Sequence, residues 1–324
     1  MSELIVSGKC GPTPRFTDNS GMDRVIEVSG PAFVSVEHRQ LMVEREGVLV
    51  GTAPLADLAV LILDGPEIVA TVDGLRAALA EGIAVVISDE KHLPSGLALN
   101  LDRNTLHTAT LRQQTECSLP KRKRVWQQIV QAKIDAQAQL LRNLNQPWQD
   151  LAAMKDRVTS GDPMNLEAQA AALYFERLFG DTFLRDRDEP GINAMLNYGY
   201  AVLRAMVARA LVGTGLHPAL GVHHRNQYNP YCLADDAMEP VRPLVDALVY
   251  RTWRGQPDIQ ELTPPIKRVL IKVSVCDVNL AGNSTPIAYA LGRYAASLRK
   301  AICEGNRRVM VPMPWRSVDT ESCG

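Results

Sequence analysis

Aromatic residues are scarce in this chain of 324 residues. Tryptophan, tyrosine and phenylalanine together make up 5% of it, so aliphatic side chains must fill the interior. Cysteine is scattered. Cys10, Cys117, Cys232, Cys276, Cys303 and Cys323 include no C-x-x-C pair, which argues against a disulfide framework or zinc cluster and fits reduced thiols in a cytoplasmic protein. Long apolar runs are missing as well. The most apolar long stretch, 195–216, carries Arg204 and Arg209, so no segment is expected to span a membrane. The first twenty residues lack a basic start followed by an apolar core, so no secretory leader is expected.

Phosphate-loop and nucleophile motifs are also absent. Gly213-Thr214-Gly215 begins like G-x-G-x-x-G, but Pro218 stands at the third glycine place and a helical pattern precedes it. No G-x-x-x-x-G-K-[ST] and no G-x-S-x-G occurs. What remains is 46% apolar and 22% charged, enough for a full core. The net charge of −1 hides an asymmetry. Residues 1–105 hold 8 Lys and Arg against 15 Asp and Glu, and residues 106–324 hold 27 against 21. An anionic partner is therefore expected for the second half only.

Patterning divides the chain in the same place. Residues 1–21, rich in Gly and Pro, read as an extension. From Val25 short β segments follow at 32–36, 41–43, 48–50, 58–63 and 68–72, punctuated by Gly30-Pro31, Glu46-Gly47 and Asp64-Gly65-Pro66. Asp73 is expected to cap one helix that ends at Gly82, and strands follow at 83–87 and 97–101. Beyond Leu111 the period becomes helical. Helices are expected from Lys121, from Asp162-Pro163 to Phe179, over 193–212, over 233–250 with disturbances at Pro240 and Pro243, and over 286–303. The expected fold class is α+β in two domains: a β-sandwich-like N-terminal domain with one helix (22–111) and an all-α domain (112–324).

One segment concentrates chemistry. Residues 217–243 place His217, His223 and His224 close to Asp235, Asp236 and Glu239, and imidazole with carboxylates suits Mg²⁺ or Mn²⁺. Glu167 joins them because it sits one turn into an otherwise apolar helix. Each residue also has a plain structural interpretation, with the acids as helix caps and the histidines as satisfied core or surface groups. The run Lys121-Arg122-Lys123-Arg124 is a solvated helix start or a DNA contact, and nothing else supports a localisation signal. Arg204 and Arg209 need either partners or an anion-lined groove.

Three runs carry a resemblance: NLEAQAAALYFERLFG (165–180), LNYGYAVLRAMVARAL (196–211) and HHRNQYNPYCLADDAMEPVRPLVDALVY (223–250). In this order they resemble the CRISPR adaptation integrase, the metal-dependent nuclease–integrase of spacer acquisition. DEKHLPSGLALNLDRNT (89–105) resembles the version of type II systems. The resemblance implies a catalytic helical domain whose Mg²⁺ or Mn²⁺ is held by Glu167, His224 and Glu239, with Asp236 and His223 supporting. It implies a 3′-hydroxyl of a captured fragment attacking a phosphodiester at a repeat border, with no covalent protein–DNA intermediate. It also implies a homodimer formed through the acidic N-terminal domain. The implied partners are double-stranded DNA, a small companion subunit of the adaptation complex and the RNA-guided effector nuclease.

Phosphate contacts are expected among Lys121, Arg122, Lys123, Arg124, Arg225, Arg242, Arg251, Arg254, Lys267 and Arg268. Two competing functions stay open. One is a non-catalytic helical DNA-binding protein. The other is a metal hydrolase of small phosphate esters, which the basic helical half fits poorly.

Overall fold

Alternating apolar residues build the N-terminal part. The computed structural model describes residues 23–90, 92–186 and 188–315, and the extension expected at residues 1–21 lies outside the described residues. The first strands are β1 (Arg24–Ser29), β2 (Ala32–Glu37), β3 (Gln40–Arg45), β4 (Val48–Pro54), β5 (Leu58–Asp64) and β6 (Ile68–Ala70). Helix α1 (Val72–Ala80) separates them from β7 (Ala84–Ser88) and β8 (Pro94–Ala98). One four-stranded sheet has the order β1-β5-β7-β8, with β1, β5 and β7 parallel and β8 antiparallel to β7. The other has the order β4-β3-β2-β6, antiparallel except where β6 runs beside β2.

Ile26, Val28, Leu61, Leu63 and Val85 of the first sheet meet Val34, Leu41 and Val43 of the second and Ala78 of α1 in one buried cluster. The opposite face of the first sheet, with Val25, Val60, Ile62, Ala84 and Val86, belongs to the core of the helical part instead. Covered on both faces, β5 is buried along its whole length, which explains its continuous rather than alternating apolar run. Local chemistry moves some expected boundaries. Thr71, not Asp73, caps α1, its hydroxyl accepting the Gly74 N–H at 3.0 Å. The last strand of the first sheet ends at Ala98, and Leu101–Arg103 form a 3-10 turn.

The helical part opens with α2 (His107–Thr115), the 25-residue α3 (Leu119–Asn143) and α4 (Gln149–Arg157). Then come α5 (Leu166–Phe179), α6 (Ile192–Gly213), α7 (Cys232–Met238), α8 (Arg242–Gly255) and α9 (Pro264–Ile271). A hairpin of β9 (Asp277–Leu280) and β10 (Asn283–Pro286) precedes α10 (Ile287–Arg299). Pro240 and Pro243 act as their chemistry predicts, splitting 233–250 into α7, a 3-10 turn at Glu239–Val241 and α8. Among the described residues no helix is long and apolar enough to cross a membrane.

Two helices position everything else. α6 packs on β5, β7 and β8 on one side and on α7 to α10 on the other. A Cβ on Gly199 would lie 2.4 Å from Val245, so only glycine lets α6 and α8 approach so closely. Both arginines of α6 have partners. Arg209 reaches Asp23 at 2.8 Å and the Gly82 carbonyl at 2.8 Å, and Arg204 reaches Asp235 at 2.7 Å. α3 is the second organiser, packing on α4, α5 and the 3-10 turn that carries Glu239.

Candidate metal centre

Helical spacing puts Trp126, Ile129, Val130, Lys133 and Gln137 on one buried face of α3. Three of these suit an interior, Gln137 is polar, and Lys133 carries a charge. Lys133 is only 5% exposed, and an ammonium there needs counter-charges. Two carboxylates supply them. Glu167 of α5 binds the Lys133 ammonium through Oε1, and Glu239 Oε2 lies 2.6 Å from Nζ. Arg242, one helical turn after Glu239, places a guanidinium nitrogen 3.2 Å from Glu239 Oε1. Burial pushes the Lys133 ammonium down, but Glu239 and Glu167 outweigh it and its pKa ends raised. Burial likewise pushes Glu239 up, yet Arg242 and Lys133 prevail and hold it ionised below the usual carboxylate range.

Local sequence fixes each arm. Asp162 does not cap its helix as its immediate neighbour. The chain turns through Asn165, in the left-handed region at φ 52°, and Asp162 reaches over that turn. Its oxygens accept the backbone N–H groups of Leu166 at 3.0 Å and Glu167 at 2.9 Å. The first turn of α5, and Glu167 with it, is thereby anchored. Glu239 owes its place to the proline-broken step between α7 and α8.

His224 is held from the other side. Its Nδ1 lies 2.5 Å from Asp236 Oδ1, and the fully buried Asp236 also accepts backbone N–H groups from Val222, His223 and His224 at 2.7, 2.9 and 3.2 Å. A carboxylate so committed has no lone pair left for a metal and serves to orient the ring. The hydrogen bond to Asp236, opposed by burial, raises the His224 pKa. Gly221 makes the close approach feasible, since a Cβ there would lie 2.9 Å from Asp236 Oδ2 and 2.3 Å from the His224 carbonyl. Gln114 of α2 clamps the same loop, donating to the carbonyls of His217 and Leu220 at 3.0 Å each. His223 stacks flat on Trp126 with centroids 4.1 Å apart, which holds its ring against α3. Asp235 is spent on Arg204 and Asn229, each at 2.7 Å.

The structure thus brings Glu167 and Glu239 together around one cation, and that cation is an ammonium. It does not close a three-armed cage. Among the described residues no group of three His, Cys, Asp or Glu side chains is arranged to hold a metal. The donors nonetheless fit a hard divalent ion. Two carboxylates from separate elements already converge on a positive charge, and an imidazole with Nδ1 engaged keeps Nε2 as its remaining donor. Glu239 Oε2 is buried without a hydrogen bond of acceptable angle, despite its 2.6 Å distance from the ammonium.

Lys267, expected at a DNA surface, is the clearest correction. It is 4% exposed and bound to Glu27 at 3.3 Å and to Asp64, so it joins the two domains from inside. Arg242 is turned inward as well, over the Tyr200 ring at 4.7 Å. Lys123, Arg124, Arg225 and Arg254 are exposed, while Lys121, Arg122, Arg251 and Arg268 are half-buried. Sequence reasoning missed Lys133 and Trp126, because a lysine on a helix ordinarily carries its charge out to solvent. It also missed a cavity of about 500 Å³ whose lining holds Arg293, Lys300 and Arg308 and no acid. The 307–309 segment beside it is fastened to α3 by Gln128, which donates to the Arg307 carbonyl at 3.2 Å and accepts the Val309 N–H at 2.9 Å. The cavity therefore adjoins the basic start of α3.

Comparison with known proteins agrees with this architecture. The family model "CRISPR associated protein Cas1" matches residues 27–257. The CRISPR-associated endonuclease Cas1 of Neisseria meningitidis serogroup C is 39% identical over 280 residues, covering 85% of this chain and 90% of that protein. A Cas1 protein from Thermotoga maritima shares the fold at a TM-score of 0.71 and 16% identity, covering 86% of this chain and 97% of that one. A casposase bound to its integration product does so at 0.64 and 18%, covering 89% and 92%. A chain of a Cas6-RT-Cas1–Cas2 complex does so at 0.72 and 19%, covering 96% of this chain and 37% of that one. With the family model spanning most of its length, the chain belongs to the CRISPR-associated Cas1 family.

Proposed function

We propose that this chain is a divalent-metal-dependent DNA endonuclease and integrase. In this reading it inserts captured DNA fragments as new spacers into a CRISPR array by 3′-hydroxyl transesterification at the repeat borders. One observation carries the proposal: two carboxylates on separate helical elements converge on a single positive charge beside an imidazole fixed by Asp236. Mg²⁺ or Mn²⁺, held by Glu167, Glu239 and His224, would supply electrophilic stabilisation of the phosphoryl oxygens. Asp236 keeps the imidazole ring oriented. Arg242 keeps Glu239 ionised and immobile, as pre-organised electrostatic catalysis requires. The attacking group belongs to the DNA, so no serine, tyrosine or cysteine nucleophile is needed.

DNA would lie along the basic rim. Exposed Lys123 and Arg124 at the start of α3 lead to Arg308, Lys300 and Arg293 in the acid-free cavity, a track whose affinity must fall steeply with salt. A homodimer is supported by apolar residues exposed in the second sheet, where Phe33 and Val69 are register partners at 41% and 59% exposure. Likeness to a chain solved with a Cas2 subunit supports a small companion protein as partner.

The deciding experiment is strand transfer of a labelled duplex into a supercoiled plasmid bearing a CRISPR repeat, with Mn²⁺, Mg²⁺ or EDTA and with or without the companion subunit. Joining that requires metal and disappears in Glu239→Ala supports the proposal. Salt-sensitive binding without joining or cleavage, with the cognate partner and repeat present, overturns it. That outcome would favour a non-catalytic DNA-binding protein, a function consistent with carboxylates already neutralised by Lys133.

A further inference from the structure

We propose that the Lys133 ammonium is a built-in occupant of the cation position, one that a divalent metal must displace, and that this exchange couples metal binding to DNA binding. The inference rests on the metal-dependent function proposed above and adds a role for a residue outside the ligand set.

The geometry is that of substitution. A metal ligated by Glu167 and Glu239 needs the same two carboxylates that Lys133 now binds. The lysine arrives from α3, and the acids arrive from α5 and the turn between α7 and α8. Lys133 pairs with both Glu167 and Glu239, whereas Arg242 pairs with Glu239. Without metal, the buried Glu239 carboxylate and the half-buried Glu167 carboxylate would repel each other at a site poorly screened by water. Lys133 removes that repulsion and holds the two carboxylates together before metal arrives.

Charge accounting gives the coupling. Glu167 and Glu239 are balanced by Lys133 and Arg242, so the metal-free cluster is neutral. A dication entering this cluster raises its charge to a surplus of two, the displaced ammonium included. A DNA backbone threading the site carries the matching negative charge. Metal should therefore bind poorly alone and better with DNA, and by linkage DNA should bind better with metal. An enzyme built this way stays inert toward free metal and assembles its reactive centre only on substrate.

Lys133→Met in the full chain separates this role from mere packing, because it keeps the aliphatic stem and removes the charge. Mn²⁺ binding is measured by electron paramagnetic resonance or calorimetry, alone and with a duplex ending in 3′-dideoxynucleotides, so that no reaction intervenes. Lys133→Met should bind free Mn²⁺ at least about tenfold more tightly than wild type. The duplex should raise Mn²⁺ affinity at least about fivefold in wild type and less than about twofold in the variant, within the usual range of coupling between sites. Equal or weaker Mn²⁺ binding by a folded Lys133→Met, with DNA coupling intact, overturns the inference.

Should Lys133→Met not fold, Lys133→Gln carries the same comparison, and a measurement on the wild type needs no variant. Acylation of Lys133 by an amine reagent, read by mass spectrometry, should accelerate when Mn²⁺ and duplex are added. No acceleration at saturating Mn²⁺ overturns the displacement. Failure of wild type and Lys133→Met alike to bind Mn²⁺ beyond the level of Glu239→Ala would instead overturn the metal site itself.

Discussion

Two buried lysines in this protein sit between two carboxylates, and they are built for opposite purposes. Lys267 bridges Glu27 and Asp64 where the first sheet meets α6 and α9, and Tyr198 donates to Glu27 at 2.5 Å. Lys133 bridges Glu167 and Glu239 among α3, α5 and the α7–α8 turn. An imidazole is pinned on a carboxylate beside each: His92 on Asp64 at 2.9 Å and His224 on Asp236 at 2.5 Å. Enclosure separates them. The Glu27 and Asp64 side chains are 0% and 2% exposed, whereas in the other pair Glu239 is 4% exposed and Glu167 is 25% exposed. A sealed cluster can only hold the domains together. An open one can exchange its cation.

The sharpest way to break this contrast is to neutralise one carboxylate in each cluster. Glu239→Gln should lower strand transfer by about a thousandfold or more, since the electrophilic stabilisation a metal supplies is worth several kcal/mol. Glu27→Gln should lower stability while leaving turnover per folded molecule within about twofold, as expected for independent sites. Single-turnover joining assays, normalised to folded protein, decide it. Comparable losses in both variants would erase the functional distinction.

Removing the cations tests the other side. Lys267→Met strands two buried carboxylates and should destabilise by about 3–5 kcal/mol in urea unfolding, with no recovery on adding Mn²⁺. Lys133→Met should also be weaker without metal but recover with it. Recovery of Lys267→Met by Mn²⁺ would show that the sealed cluster also admits metal.

Asp246 shows what a buried carboxylate does with no lysine. Tyr174 donates to it at 2.8 Å and Tyr200 also donates, but burial still raises its pKa from 3.8 to about 6. Because the folded value is the higher one, this carboxyl contributes stability that is present below pH 3.8 and lost as pH rises through 6. At pH 8 the ionised form costs about 3 kcal/mol relative to acid. Asp246→Asn should therefore gain on wild type between pH 4 and pH 8 in urea unfolding. A stability difference independent of pH would refute the assignment.

The contrast between these clusters was only half legible in the sequence. Glu167 stood out because a carboxylate on an apolar helix demands a reason, and residues 217–243 because they crowd three histidines and three acids together. The choice of His224 and Glu239 within that segment came from the family resemblance. Lys133 did not, since a lysine in a helix normally snorkels to solvent and only packing of α3 against α5 and the α7–α8 turn prevents it here. Lys267 was misplaced for the same reason, because charge alone does not reveal which face of α9 meets Glu27 and Asp64. Strand positions in the first half were readable from alternation. The parallel pairing of β1, β5 and β7 was not, because it depends on partners far apart in the chain. Asp236 was given a supporting role by the family resemblance, but the three backbone N–H groups that fix it are encoded by no side-chain motif. Asp236→Asn should accordingly weaken Mn²⁺ binding roughly 10–100-fold, the range for groups that orient a ligand. An unchanged affinity would mean that the ring needs no such support.

His92→Ala should have the smallest effect, and its smallness is informative. The His92 side chain is 58% exposed and Asp64 keeps Lys267 when the imidazole is gone. Solvent screens the contact, so the loss should stay below about 1 kcal/mol. The imidazole on Asp236 faces the opposite situation: its partner has no lysine, and its free nitrogen is the proposed donor to metal. Urea unfolding of His92→Ala beside Mn²⁺ binding of His224→Ala compares the two directly. Should His92→Ala destabilise by several kcal/mol, the sealed cluster would depend on its exposed imidazole as well as on its lysine, and enclosure alone would no longer account for the difference between the two sites.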